Sequence, residues 1–129
     1  MGIKELAEQA QTEIRSISVQ EALADESGAL VYVDVRDIRE LERDGTIEGA
    51  HHAPRGMIEF WFDPDSPYFR DVYGDPDKTY VLFCNAEWRS ALSAKSLQDM
   101  GIGNVAQLFG GLPAWREAGG GVREKPRKS

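Results

Sequence analysis

The sequence predicts an α/β fold in which a sheet is covered by helices on both faces. Residues 29–35, 79–83 and 105–109 are nearly continuous apolar, β-branched runs, the pattern of strands buried on both sides of a parallel sheet. Segments with apolar residues at helical spacing alternate with them. The residues most able to carry chemistry, Asp34, Cys84 and the Gly110-Gly111 turn, fall at the carboxyl ends of these runs, where such sheets place their sites.

Taken in order, Ile3, Leu6, Ala7, Ala10 and Ile14 mark an amphipathic N-terminal helix within residues 1–15, expected to pack on a main domain at 16–119. Residues 15–17 are expected to form a short edge strand. Ser18 stands three positions before Glu21, a capping-box pattern for a helix with Val19, Ala22 and Leu23 on its apolar face and Gly28 as its end. Beyond the run at 29–35, residues 38–43 read as a short helix stopped near Gly45. Residues 47–54 turn into a short strand, on which His51 and His52 point to opposite faces, so no metal site is expected there. Met57, Phe60, Trp61 and Phe62 form a short amphipathic segment expected to serve packing.

The Asp- and Pro-rich loops at 63–67 and 74–77 lack the glycine and terminal glutamate of a calcium loop, and read as solvated. From Ser90 a helix is expected to turn Ser93, Ala94, Leu97 and Met100 toward the sheet, with Lys95, Gln98 and Asp99 opposite. Gly101-Ile102-Gly103 follows a helix and precedes a strand, the reverse of a dinucleotide-binding context. Gly110 and Gly111 suit close backbone approach, and residues 112–118 form a last helix carrying Trp115. Residues 120–129, with Arg123, Lys125, Arg127 and Lys128, are expected to be a disordered basic tail.

With 129 residues, 41% hydrophobic and 29% charged, the chain suits one soluble domain with a single core. A net charge of −7 argues against nucleic acid or an anionic membrane as partner. The single cysteine forms no internal disulfide, and no apolar run approaches membrane-spanning length, so the cytoplasm is the expected location.

Cys84 ends the run 79–83 and a helical pattern follows at once. A lone cysteine behind an apolar run can be a small buried hydrophobe. The alternative is that the turn between strand and helix gathers helix N-terminal N–H groups, which favour an anion and make Cys84 a nucleophile as its thiolate. Arg89 adds a permanent positive charge to the same loop. Asp34, Arg36 and Glu40, at the neighbouring strand end, read as a structural ion-pair and hydrogen-bond network near the site.

Four motifs, in order, resemble the rhodanese family of sulfurtransferases: Val33-Asp34-Val35-Arg36-Asp37, Gly49-Ala50-His51, the segment from Cys84 to Ser90, and Gly110-Gly111-Leu112-Pro113-Ala114-Trp115. The resemblance implies a three-layer α/β/α rhodanese-like fold with a five-stranded parallel sheet in the order 3-2-4-5-1. It implies catalysis by Cys84 through a persulfide, with Asn85, Ala86, Glu87, Trp88, Arg89 and Ser90 cradling the substrate. It further implies a small sulfur-containing anion or persulfide as donor, and a thiol, cyanide or protein cysteine as acceptor, with no metal or organic cofactor. Four residues separate Cys84 from Arg89, as in the sulfur-transferring branch; phosphatase and arsenate reductase relatives carry five. Glu87 and Trp88 stand in a loop that is glycine-rich in many single-domain members, and Glu87 is expected to set negative charge beside the anion.

Overall fold

The computed structural model describes residues 1–126. Their elements, in order, are α1 (Ile3–Glu13), β1 (Ser16–Ile17), α2 (Val19–Ala24), β2 (Leu30–Asp34), α3 (Ile38–Asp44), β3 (Thr46–Ile47), β4 (His51–His52), α4 (Ile58–Phe62), β5 (Thr79–Phe83), α5 (Trp88–Asp99), β6 (Val105–Leu108), α6 (Gly111–Glu117) and β7 (Val122–Arg123). Five strands form an all-parallel sheet in the order β1-β6-β5-β2-β4. Numbered by chain order within that sheet, this is the expected 3-2-4-5-1 read from the other edge. β2, β5 and β6 lie in the interior and bring the ends of their ladders together at Asp34, Phe83 and Leu108.

Strand alternation splits the core in two. Tyr80, Leu82 and Cys84 project to one side, where they meet Val33, Val35, Ile58, Phe62, Tyr73, Ala94 and Leu97 beneath α4 and α5. Val81 and Phe83 project to the other, against Val19, Ala22, Ile47, Leu112 and Trp115 of α2, β3 and α6. Cys84 thus inherits its direction from the pleat that buries Tyr80 and Leu82.

The helices follow their sequence signals with instructive differences. Ser18 and Glu21 form the capping box of α2, but the helix ends at Ala24 rather than Gly28. The Asp25 carboxylate there accepts from the Ser27 hydroxyl, whose oxygen accepts from the Ala29 N–H, so the side chains build a turn that ends the helix early. Leu23, expected on the apolar face, is exposed. α5 begins at Trp88, two residues before Ser90, with Glu87 as its N-cap. Its small residues Ser90, Ala91, Ser93 and Ala94 are buried against the sheet, whereas Met100 is exposed. The face of α5 opposite the sheet meets α1: Gln98 donates to the Glu13 carbonyl and Lys95 pairs with Glu13.

The expectation of a disordered tail from residue 120 is corrected. β7 pairs antiparallel with β3, matching Thr46 to Arg123 and Ile47 to Val122. The Trp115 indole N–H donates to the Gly121 carbonyl at 2.9 Å, and a Cβ on Gly120 would stand 2.3 Å from the indole ring. The backbone of residues 120–121 is thus laid on an aromatic face, which compensates for the low hydrophobicity of the segment. Arg127 and Lys128 lie outside the described residues.

Replacing Trp115 by Phe keeps an aromatic ring but drops the N–H that holds Gly121 and part of the indole surface beneath Gly120. The expected cost is about 1 kcal/mol of stability. Amide hydrogen exchange should quicken selectively at the β3–β7 pair and not in β2 or β5.

Candidate active site

The guanidinium of Arg36 organises the strand ends. It is fully buried, as is Asp34, two residues earlier. Arg36 Nε and Nη2 donate to the Asp34 carboxylate at 3.0 and 2.9 Å, and Nη2 also donates to the Gly45 carbonyl at 2.6 Å. Nη1 donates to Asn85 Oδ1 at 3.0 Å, tying the residue after the cysteine to β2. Asp34 further accepts from the Arg36 backbone N–H and from the Thr46 hydroxyl. His52 Nε2 donates to the Arg36 carbonyl at 2.7 Å, so this histidine is a brace for the same segment.

Glu40 forms a second layer. Its carboxylate accepts both Arg89 Nη groups, at 2.6 and 2.9 Å, and the Asn85 side-chain amide at 3.2 Å. It also caps α3 by accepting from the Asp37 N–H, and Asp37 in turn accepts from the Arg39 N–H. The hydrogen bonds from Arg89 hold the Glu40 carboxyl below the usual glutamate range, against a smaller opposing effect of burial. Arg89 therefore sits at the loop with its fork already engaged by a carboxylate.

Cys84 is 1% exposed, with Sγ 3.4 Å from the hydroxyl of Ser90. Among the described residues, none of the backbone N–H groups from Asn85 to Ser90 has an intramolecular acceptor. Six unsatisfied donors in one turn, continuous with the start of a twelve-residue helix, make a nest for negative charge. The opposite wall is Gly110-Gly111. Leu112 N–H donates to the Cys84 carbonyl at 2.9 Å, and a Cβ on Gly111 (φ +63°) would lie 2.2 Å from that oxygen. Glu87 turns to this wall too: its Oε1 accepts from the Gly110 N–H at 3.2 Å. Beside the loop opens a cavity of about 290 Å3 lined by Asp44, Asn85, Leu112, Pro113 and Arg116.

The structure thus brings Asn85 and Arg89 into contact with Arg36 or Glu40, joins Arg36 to Asp34, and sets Cys84 against Ser90. The side chains of Ala86 and Trp88 are exposed. Trp88 and Arg89 belong to the first turn of α5 rather than to the connecting loop. Two residues escaped the sequence reading. Gln107, fully buried on β6, accepts from Ser90 Oγ at 3.1 Å, and its only signal is a polar letter in an apolar run. Thr46 bonds Asp34 and carries no sequence signal.

Loss of Arg36 should be severe. Arg36→Met leaves Asp34 buried without its counter-charge, at an expected cost of about 3–5 kcal/mol. In urea denaturation, Asp34→Asn added to Arg36→Met should regain part of that loss.

Glu40 gives a pH-dependent expectation. Its carboxyl is depressed in the folded state, so its stabilisation is fully present above the unfolded value of about 4.3 and is lost as pH falls through the lower folded value. With Arg89 39% exposed, the pair should contribute about 1 kcal/mol. The stability difference between parent and Glu40→Gln should be constant from pH 7 to 5 and shrink toward pH 3.

Comparison with known proteins adds independent observations. The family model for the rhodanese-like domain matches residues 18–118. A sulfurtransferase of Allochromatium vinosum is 33% identical over 107 residues, covering 83% of this chain and 90% of that protein. A protein of unknown function from Rhodopseudomonas palustris, described as a possible tyrosine phosphatase, is 44% identical with a TM-score of 0.88, covering 95% of each chain. The thiosulfate sulfurtransferase of Pseudomonas aeruginosa superposes with a TM-score of 0.76 at 27% identity, over 95% of this chain and 22% of that one.

Proposed function

Because this chain belongs to the rhodanese-like domain family, we propose that it is a sulfurtransferase that carries a sulfane sulfur on Cys84. The observation that carries the reading is the nest of free N–H groups from Asn85 to Ser90 around the chain's single cysteine. Those donors, with Arg89, favour the thiolate and then the anionic persulfide.

In the proposed cycle the Cys84 thiolate attacks the outer sulfur of a donor such as thiosulfate. The donor's S–S bond breaks, sulfite departs with the bonding pair, and Cys84 holds a persulfide. A thiol, cyanide or protein cysteine then attacks the outer sulfur and releases the Cys84 thiolate. The segment from Asn85 to Ser90 receives the anion, while Asp34, Arg36 and Glu40 hold the loop in shape. The cavity lined by Asn85, Leu112, Pro113 and Arg116 offers room for an acceptor next to the loop. Every step uses protein groups and the two substrates, without metal or organic cofactor. The net charge of −7 favours such small or protein partners over nucleic acid and anionic membrane, and the cytoplasm is the proposed location. No helix among the described residues is long and apolar enough to cross a membrane.

A second reading, a sulfur-carrier or regulatory module with little turnover, is favoured by the 1% exposure of Cys84 and the engagement of Arg89 by Glu40. A phosphatase, the description borne by the R. palustris protein, fits the four-residue spacing between Cys84 and Arg89 less well, because a tetrahedral oxyanion needs a wider loop.

Incubation with thiosulfate and cyanide should yield thiocyanate, and Cys84→Ser should remain folded and yield none above buffer. Stoichiometric persulfide on Cys84 by intact mass, without turnover, would select the carrier reading. Thiocyanate from the serine variant would refute the mechanism. Hydrolysis of a phosphate ester dependent on Cys84 would replace it with the phosphatase reading.

A further inference from the structure

We propose that Gln107 is a positioning residue for Cys84, acting through Ser90 by presenting its side-chain N–H2 to the serine hydroxyl when the thiol ionises. This rests on the reading of Cys84 as the nucleophile.

Gln107 shares a sheet face with Val105, the face on which Cys84 also lies, and it has no solvent exposure. Alternation would place an apolar side chain there. Its Oε1 accepts from Ser90 Oγ, but its Nε2 is a buried donor with no partner among the described residues. Such an orphan is unusual, because a buried amide without an acceptor loses its hydration uncompensated.

Ser90 explains what the orphan is for. Its Oγ lies 3.4 Å from Cys84 Sγ, 3.3 Å from the Glu87 carbonyl and 3.1 Å from Gln107 Oε1. A hydroxyl has one proton to give and two lone pairs with which to accept. Against the neutral thiol, the S–H donates to Oγ, and the hydroxyl proton goes to either carbonyl. Once Cys84 has released its proton to solvent, the sulfur can only accept, and the Ser90 proton must turn to it. Gln107 Oε1 then faces an oxygen with no proton to offer. Half a turn of the terminal amide exchanges Oε1 for Nε2, and Nε2–H donates to Ser90 Oγ. The group left without a partner is then a carbonyl oxygen, more readily tolerated than a bare N–H. Ionised Cys84 therefore holds the amide in one orientation, and that orientation aims the Ser90 proton at the sulfur. Only the thiol proton leaves the site.

The test is the alkylation rate of Cys84 by iodoacetamide against pH, followed by intact mass. Gln107→Met removes both polar atoms at similar volume. Its midpoint should rise by about one pH unit, about tenfold slower reaction at neutral pH, with the high-pH plateau unchanged. Ser90→Ala should raise it similarly, and the double variant should add nothing further. A parent-like midpoint in Gln107→Met, even with lowered thermal stability, would overturn the proposal and leave Gln107 a packing residue. Should that variant not fold, the parent decides: the Gln107 side-chain N–H2 resonances should titrate with the Cys84 midpoint and cease to do so in Cys84→Ser. Resonances that stay pH-independent would overturn it. Alkylation needs no sulfur donor, so failure of this proposal is distinguishable from failure of the sulfurtransferase reading.

Discussion

A guanidinium removed from water must find acceptors for its five N–H groups inside the protein, and the ones Arg36 finds decide where much of the site can be. Asp34 comes from the same strand end, Gly45 from the turn that closes α3, and Asn85 from the loop after the cysteine. Two nearby segments and one 49 residues away are thereby fixed to one planar group. The geometry is demanding because the fork is rigid, and a lysine could not satisfy it. The pair is better understood as a constraint on loop conformation than as a source of net stability, since burying both charges is itself costly.

That constraint resolves an electrostatic tension. The chain is acidic overall, and Glu40 and Glu87 both lie at a loop whose N–H groups have no acceptor among the described residues. Each carboxylate is occupied: Glu40 by Arg89, Asn85 and the Asp37 N–H, Glu87 by the Gly110 N–H. Glu87 thus ties the cysteine loop to the glycine turn through the Gly110 N–H. The free N–H groups of the loop remain directed to no other partner among the described residues.

Much of this architecture was legible in the residues. β5 keeps its expected bounds because an unbroken β-branched run ends at the cysteine, and the capping box at Ser18 rests on local chemistry alone. The strand order came from the family resemblance, not from pattern. What could not be read were contacts that local sequence does not encode. The Val122–Arg123 strand exists because Trp115 holds the segment before it, and Met100 is exposed because α5 ends just before it. At the site, Cys84 and Arg89 were evident from their turn, whereas Gln107 becomes meaningful only when β6 is laid beside β5.

The strand order also governs when the site can exist. Among the described residues β1 pairs with β6 alone, so the edge of the sheet waits for residues 105–108. The Cys84 carbonyl waits longer, for the N–H of Leu112. During synthesis, a chain not yet extended to Leu112 therefore holds its cysteine without the wall that closes the cradle. Long-range pairing of this kind slows folding, since the loop entropy is lost before the contact forms. The thiol becomes a defined chemical site only once residues 105–112 are in place.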